Sequence, residues 1–299
     1  MASTYRTRFA PSPTGKMHPG HARTALVTWL QARKQGGQIV MRIEDIDRPR
    51  VVPGSADAIC RAHEWLGLDW DEGPVFQSSH DEAYERALGQ LQAAGMVYPC
   101  TCSRKEIAAI ASAPHGDEGP RYSGTCRNGV TKPGKPPALR FVFEAPSPGF
   151  EDVLRGAYPE GRAGGDFVLR RADGVWAYQL AVVVDDAEEG ITEVIRGADL
   201  LSSTPRQIAL YRALGYPVPR FAHVALVVDR DGTRLATRHR ATSIESLREA
   251  GRSPEQVIGQ LACSLGLTAT DAPIRAEELV QAFTLGEISR ASFTWKTAQ

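Results

Sequence analysis

Two histidines, His18 and His21, bracket a Pro-Gly pair in the stretch "RFAPSPTGKMHPGHART". Imidazole N–H groups donate hydrogen bonds to phosphate oxygens, more strongly as charge develops on those oxygens. Gly20 lets a ligand approach the backbone closely, and Pro19 stiffens the turn. If the turn opens a helix, unpaired N–H groups and a positive dipole end add an anion site. Spacing alone is a weak signal here, and position between a strand and a helix is what strengthens it. No G-x-x-x-x-G-K-[ST] or G-x-G-x-x-G motif is present, so a Walker-type or dinucleotide site has no support.

A second constellation is "RIEDIDRPR", which places Glu44, Asp45 and Asp47 beside that first turn. A carboxylate there could hold a substrate amine. It could equally cap the strand end or pair with Arg48 and Arg50. The third constellation is Cys100-x-Cys102, followed by Tyr122 and Cys126. Thiolates bind zinc tetrahedrally, and a small module with little core gains stability from such a staple. Simple burial of the thiols is the alternative. Cys60 and Cys263 fall on apolar helical faces and read as core.

The elements that carry these residues are legible. Tyr5, Thr7 and Phe9 alternate as in a strand, and Ala22, Ala25, Leu26, Trp29 and Leu30 recur at helical spacing until Gly36-Gly37. A strand from Ile39 to Ile43 follows, giving a β-turn-α-β unit with parallel strands and a right-handed crossover. In such sheets ligands bind at the carboxyl ends of the strands, where the histidine turn lies. Helices follow at Ser55 to Leu66 and Asp81 to Ala94, each ended by a glycine. From Pro99 to about Gly165 the chain turns rich in Gly and Pro and reads as an inserted module. Then Tyr178 to Val184 reads as a buried strand, and Thr204-Pro205 as N-cap and N1 of a helix ending at Gly215. Ala222 to Val228 reads as a strand turning at "DRDG", and the tail from Ser243 as helical, with Ser253-Pro254 opening one helix.

The expected fold is α/β: a Rossmann-type parallel sheet with an inserted zinc-binding module and a short helical C-terminal region. The divisions fall at 1–98 and 166–240 for the two halves of the sheet domain, 99–165 for the insert and 241–299 for the helical tail. A chain of 299 residues with 42% hydrophobic and 23% charged residues is an ordinary globular protein. A formal net charge of +0 excludes a broad basic field, though not local footprints such as Arg48/Arg50 or Arg234/Arg238/Arg240. The longest apolar run, Leu180 to Val184, is too short to span a bilayer. "MASTYRTRFA" has no apolar h-region, and five cysteines do not look like a disulfide framework, so a cytoplasmic location is expected; the chain is expected to be a monomer.

These residues carry a resemblance. "RFAPSPTGKMHPGHARTAL" with "RIEDIDRPR" resembles the start of a glutamyl-tRNA synthetase catalytic domain, with HPGH for the "HIGH" signature of class I synthetases. "DFVLRRADGVWAYQLAVVVDDAEEGITEVIRGADLLSSTPRQIALYRALG" resembles its second half, so that the similarity runs from Arg6 to Leu247. The large helical anticodon-binding region of those enzymes is absent, as in the glutamyl-queuosine tRNA(Asp) synthetases. That family activates glutamate with ATP and attaches it to queuosine in the anticodon of tRNA(Asp). The resemblance implies L-glutamate, ATP with Mg2+, and the tRNA(Asp) anticodon loop as partners, and one structural zinc. It places Arg8, Ala10 and Ser12 around glutamate, with Arg8 on the side-chain carboxylate, where a bidentate guanidinium suits the task. It places Glu44 on the amine, Tyr178 and Arg196 in the same pocket, and His18, Gly20 and His21 on ATP. The "KMSKS"-like signature reads "TRLATRHR" here: aligned on Leu235, Arg234 stands for the first lysine and Thr237 for the phosphate-binding second. Arg238 is the neighbouring residue that could supply the charge. The family's C-x-C…Y-x-x-x-C pattern makes Cys100, Cys102, Tyr122 and Cys126 the metal ligands, with His115 competing against Tyr122. Two rival readings are a fragment that charges the 3′ end of tRNA(Glu) and a non-catalytic glutamate- or tRNA-binding module.

Overall fold

In the computed structural model, residues 5–103, 105–107, 122–228 and 243–295 are described. The chain enters on strand β1 (Arg6–Phe9), turns into helix α1 (Pro19–Lys34) and returns as β2 (Gln38–Ile43), parallel to β1 from Arg6↔Gln38 to Phe9↔Met41. Helix α1 stops where expected, because Gly36 takes the left-handed backbone (φ 60°) that ends it. Helices α2 (Ser55–Trp65) and α3 (Asp81–Ala93) also match the expected spans. Between them lies β3 (Glu72–Phe76), parallel to β2, which the sequence pattern does not announce. Its "EGPVF" has Gly-Pro at its centre and an exposed edge, so neither alternation nor an apolar run marks it.

Strands β4 (Val97–Cys100), which straddles the start of the stretch expected as an insert, and β5 (Ala138–Phe141), within it, form an antiparallel sheet with β8 (Phe167–Arg170) just beyond its end. Between β5 and β8 the hairpin β6 (Phe150–Asp152) and β7 (Gly156–Tyr158) leaves this sheet, and β6 pairs with a strand of the main body, β10, described below. Phe141, Phe143 and Phe167 join the large core under α3, whereas Tyr98, Cys100, Tyr122 and Cys126 form a small cluster of their own.

The expected strand from Tyr178 to Val184 is instead a helix, α4 (Tyr178–Glu188). Leu180 to Val184 are each no more than 1% exposed, so the run is apolar on every side and carries no period that separates strand from helix. Tertiary charge decides: only helical spacing brings Asp185, Asp186 and Glu189 onto the arginines beneath. Strand β9 (Glu193–Gly197) and a 3-10 turn lead to α5 (Thr204–Ala213), whose cap is Ser203, so that Thr204-Pro205 are its first two residues rather than cap and first residue. The next strand also departs from expectation, dividing into β10 (Arg220–Val224) and β11 (Val227–Val228). Buried Arg23 of α1 draws the Ala225 carbonyl out of the ladder with a 2.6 Å hydrogen bond. Helices α6 (Ile244–Glu249), α7 (Pro254–Ser264) and α8 (Ala276–Leu279) follow, with Ser243 and Ser253 as capping boxes. The tail ends in β12 (Phe293–Thr294), parallel to β11.

Two sheets, β1-β2-β3 and β7-β6-β10-β9, parallel except for the β6-β7 hairpin, therefore carry the body. They abut where the Thr192 amide donates to the Arg6 carbonyl at 2.9 Å and the Arg6 amide to the Thr192 hydroxyl. The chain crosses over in opposite directions from β1 and β9, the arrangement that in open α/β sheets places a ligand crevice at the carboxyl ends of the strands. Among the described residues no helix is long and apolar enough to cross a membrane.

His63 on α2 is 3% exposed, lies 4.6 Å from the Phe9 ring and donates from Nδ1 to the Ile59 carbonyl. Burial pushes its pKa down to about 4, against the pull of that hydrogen bond. The folded value lies below the unfolded one, so the neutral ring stabilises the fold above the ordinary histidine pKa and that stability is lost as pH falls. Between pH 6.5 and pH 5 the loss from this one group should be about 1.5 kcal/mol. Urea unfolding of wild type and His63→Leu at the two pH values should show that increment in the wild type and not in the variant.

Candidate active site

The crevice between β1 and β9 is built on buried charge. Arg8, on β1 and 4% exposed, donates from Nε to Asp186 at 3.0 Å and from NH1 to the Ile195 carbonyl at 3.3 Å. Arg42, on β2 and fully buried, donates to the same Asp186 oxygen at 2.7 Å and to Glu189 at 2.5 Å. Its guanidinium is also 3.5 Å from Glu44 and 3.9 Å from Asp185. Burial opposes ionisation throughout, and the paired charges decide each outcome. Arg8 and Arg42 hold Asp186 below the usual carboxylate range, whereas burial, with Asp186 and Asp185 nearby, lifts Glu189 to about 7.

The carboxylates after β2 separate into distinct roles. Asp45 accepts from the Ser78 amide and hydroxyl at 2.8 and 2.6 Å, and Asp47 pairs with Arg50 at 2.9 Å. Glu44 differs: its Oε1 is buried without a hydrogen-bond donor among the described residues, and burial raises its pKa against the pull of Arg42 and Arg8. Across the crevice, Arg196 on β9 donates to the Tyr178 hydroxyl at 3.3 Å. Burial raises the Tyr178 pKa, and the charges of Arg196, Glu44 and Arg8 all act on its hydroxyl. Ala10 and Ser12 are half-buried in the segment leaving β1. The structure thus gathers Arg8, Glu44, Tyr178 and Arg196 from residues up to 188 apart in sequence.

The histidine turn does open a helix, but its first N–H groups are not left unpaired. His18 is the N-cap of α1, and its Nδ1 accepts from the Gly20 and His21 amides at 3.0 and 3.3 Å. With Nδ1 accepting, a neutral ring carries its proton on Nε2, which makes Nε2 a donor. The His18 and His21 rings stack with centroids 4.0 Å apart. A side chain on Gly20 would place its Cβ 2.9 Å from His18 Cε1, so glycine is what admits the capping ring. No acidic residue lies in the first turn, which keeps the positive end of the helix available to an anion. Leu235, Thr237 and Arg238, with Arg234 and Arg240, lie outside the described residues, as does His115.

In the inserted stretch, the sulfurs of Cys100, Cys102 and Cys126 lie within 4.8 Å of one another and could hold a metal ion. The Tyr122 hydroxyl sits 3.3 Å from Cys100 Sγ and 3.5 Å from Cys102 Sγ, accepts from the Cys126 amide at 2.9 Å, and has Arg140 stacked 4.1 Å over its ring. Burial pushes the Cys126 thiol up, but hydrogen bonds from Tyr122 and from backbone near Thr101 and Thr131 outweigh it and hold the thiol at about 6. Cys60 is half-buried against the core, and Cys263 is half-buried.

Residues 4–297 match the family described as "tRNA synthetases class I (E and Q), catalytic domain". The chain belongs to this class I tRNA synthetase family. It is 52% identical to the Glutamyl-Q tRNA(Asp) synthetase of Symbiobacterium thermophilum, over 95% of this chain and 93% of that protein. It is 45% identical to the Glutamate--tRNA ligase of Geobacter sulfurreducens over 97% of its own length, spanning 63% of that ligase. Its fold superposes on the glutamate-tRNA synthetase of Elizabethkingia anophelis with a TM-score of 0.83 and 29% identity, covering 98% of this chain and 68% of the other. This synthetase is accordingly a ligase with a mixed α/β catalytic domain. Sequence reading of the synthetase missed Arg42, Asp186 and Glu189, the charges beneath the pocket. Arg42 stands between Met41 and Ile43 at a strand position, where an arginine reads as solvated, and "VVVDDAEE" reads as a strand end.

Proposed function

We propose that this synthetase condenses L-glutamate with ATP to glutamyl-adenylate and transfers the glutamyl group to queuosine in the anticodon of tRNA(Asp). The observation that carries the reading is the 52% identity with a Glutamyl-Q tRNA(Asp) synthetase across nearly the full length of both chains. The pocket supports the substrate. An amino acid with two carboxylates and one ammonium needs two cationic contacts and one anionic contact. Arg8 and Arg196 would supply the first two, and buried Glu44 Oε1, lacking a donor from the described chain, would accept from the ammonium. Ala10 and Ser12 would line the glutamate and Tyr178 would close the pocket over it. A carboxylate oxygen of glutamate attacks the α-phosphorus of ATP, and pyrophosphate leaves. His18, through Nε2–H, and His21 would stabilise the charge that develops on the phosphates, beside Gly20 and the end of α1. Leu235, Thr237 and Arg238 complete the ATP site in this proposal, with Arg238 in place of the signature lysine.

The tRNA step is tested by label. With labelled glutamate and ATP, tRNA(Asp) containing queuosine should accept glutamate and the same tRNA with guanine should not. Label should survive removal of the 3′-terminal adenosine and disappear on excision of the anticodon loop. A second reading, 3′-end charging, rests on the 45% identity with a Glutamate--tRNA ligase. Label at the 3′ end of unmodified tRNA(Glu) would establish it instead.

The thiol cluster fits zinc. Zn–S bonds of about 2.3 Å place sulfurs about 3.8 Å apart in a tetrahedron, and Cys102 and Cys126 stand at 3.5 Å with the Tyr122 oxygen 3.3 Å from Cys100 Sγ and 3.5 Å from Cys102 Sγ. Bound there, the ion would act as a structural staple for a module whose own core, among the described residues, is four buried side chains. Elemental analysis of protein purified without chelators should find about one zinc per chain. Cys102→Ser should lower that content and loosen the module, and Tyr122→Phe retaining full zinc would remove Tyr122 alone from the ligand set.

A further inference from the structure

Arg196 is held from behind by a buried relay. Its Nε donates to His223 Nε2 at 3.0 Å and its NH2 to the Thr204 hydroxyl at 2.9 Å, and NH1 is the nitrogen that reaches the Tyr178 hydroxyl. His223 on β10 is 0% exposed, and its Nδ1 donates to Asp152 Oδ2 at 2.5 Å. Asp152, at the end of β6 and 1% exposed, is itself fixed: its Oδ1 accepts from the amides of Leu154, Arg155 and His223 at 3.0, 2.9 and 3.2 Å. A guanidinium has no acceptor, so the ring nitrogen that meets it must carry a lone pair. The Asp152 carboxylate enforces that tautomer by taking the proton of the other nitrogen. Burial keeps His223 neutral, against the pull of Asp152, by holding it well below the usual histidine value.

We propose that Asp152 and His223 are positioning residues that aim Arg196 at the carboxylate of the amino-acid substrate. The proposal rests on the reading of Arg196 as a glutamate ligand. Asp152→Asn is the informative change, because its carbonyl can keep the three backbone N–H bonds while its amide donates to His223 Nδ1. The ring proton then moves to Nε2, where it meets the Arg196 Nε–H, and two donors face each other. In glutamate-dependent pyrophosphate exchange, Asp152→Asn should raise the KM for glutamate about tenfold or more. The KM for ATP should stay within about twofold and kcat should fall less than the glutamate KM rises, since only the amino-acid contact is re-aimed.

His223→Leu should reproduce the effect, and His223→Gln, whose carbonyl can accept from Arg196, should recover most of the lost affinity. This pair decides the matter if Asp152→Asn does not fold. The proposal is overturned if folded Asp152→Asn and His223→Leu keep the wild-type KM for glutamate. It is equally overturned if the KM values for ATP and glutamate rise together, or if His223→Gln is as impaired as His223→Leu. Arg196→Ala separates the two levels. An unmoved glutamate KM there removes the pocket reading itself, while a raised one beside unaffected Asp152 and His223 variants removes only the relay.

Discussion

Replacing Arg42 with methionine is expected to destabilise the fold by about 3–5 kcal/mol, the scale for breaking a buried ion pair by removing one partner. Arg42 is fully buried and touches or approaches Asp186, Glu189, Glu44 and Asp185. Without it Asp186 keeps Arg8 and Asp185 keeps His80, Gln77 and Tyr84, but Glu44 and Glu189 lose the cation beside them and must bind protons to remain inside. Their folded pKa values then rise above the unfolded ones, so the variant's deficit should be largest above pH 7 and shrink as pH falls. Urea unfolding at pH 8 and pH 5.5 measures both the deficit and its slope. Arg33→Met, which breaks half-exposed pairs with Asp69 and Asp71, is the contrast and should cost less than about 1 kcal/mol. An Arg42→Met deficit equal to that of Arg33→Met would show that the network is not held by this cation.

Arg8→Ala should act on ligand affinity as well as on the fold, and less on the fold than Arg42→Met does. Asp186 keeps its 2.7 Å bond from Arg42 and its 3.2 Å bond from the Tyr211 hydroxyl, so the carboxylate behind Arg8 stays satisfied. If the Arg8 guanidinium meets the side-chain carboxylate of glutamate, its removal leaves that charge unpaired among buried residues. The expected cost is about 2–5 kcal/mol of glutamate binding, or about thirtyfold and upward in affinity. Arg8→Lys should recover little, because one ammonium cannot reproduce the separate reach of Nε to Asp186 and NH1 to Ile195. Pyrophosphate exchange at low glutamate reads the effect directly. Near wild-type exchange in Arg8→Ala would reject the assignment.

The amino-acid sequence by itself determined what depends on near neighbours. It determined the parallel pairing of β1 and β2 around α1, the helix stops at Gly36, Gly67 and Gly95, the caps at Ser243 and Ser253, and the place of the HPGH turn at a strand's carboxyl end. Each is a matter of local period or of backbone conformation, and both are written in consecutive residues. The family resemblance, carried by short motifs, was legible for the same reason. Only the tertiary structure decided the identity of 178–188 as a helix, because a run buried on all sides has no polar face to set its period. It alone decided that β10 and β11 separate and that β11 pairs with the distant β12. It alone brought Asp186 to Arg42 across 144 positions and Asp152 to His223 across 71. A buried charge is tolerable only beside its partner, and the sequence records the charge but not the fold that delivers the partner.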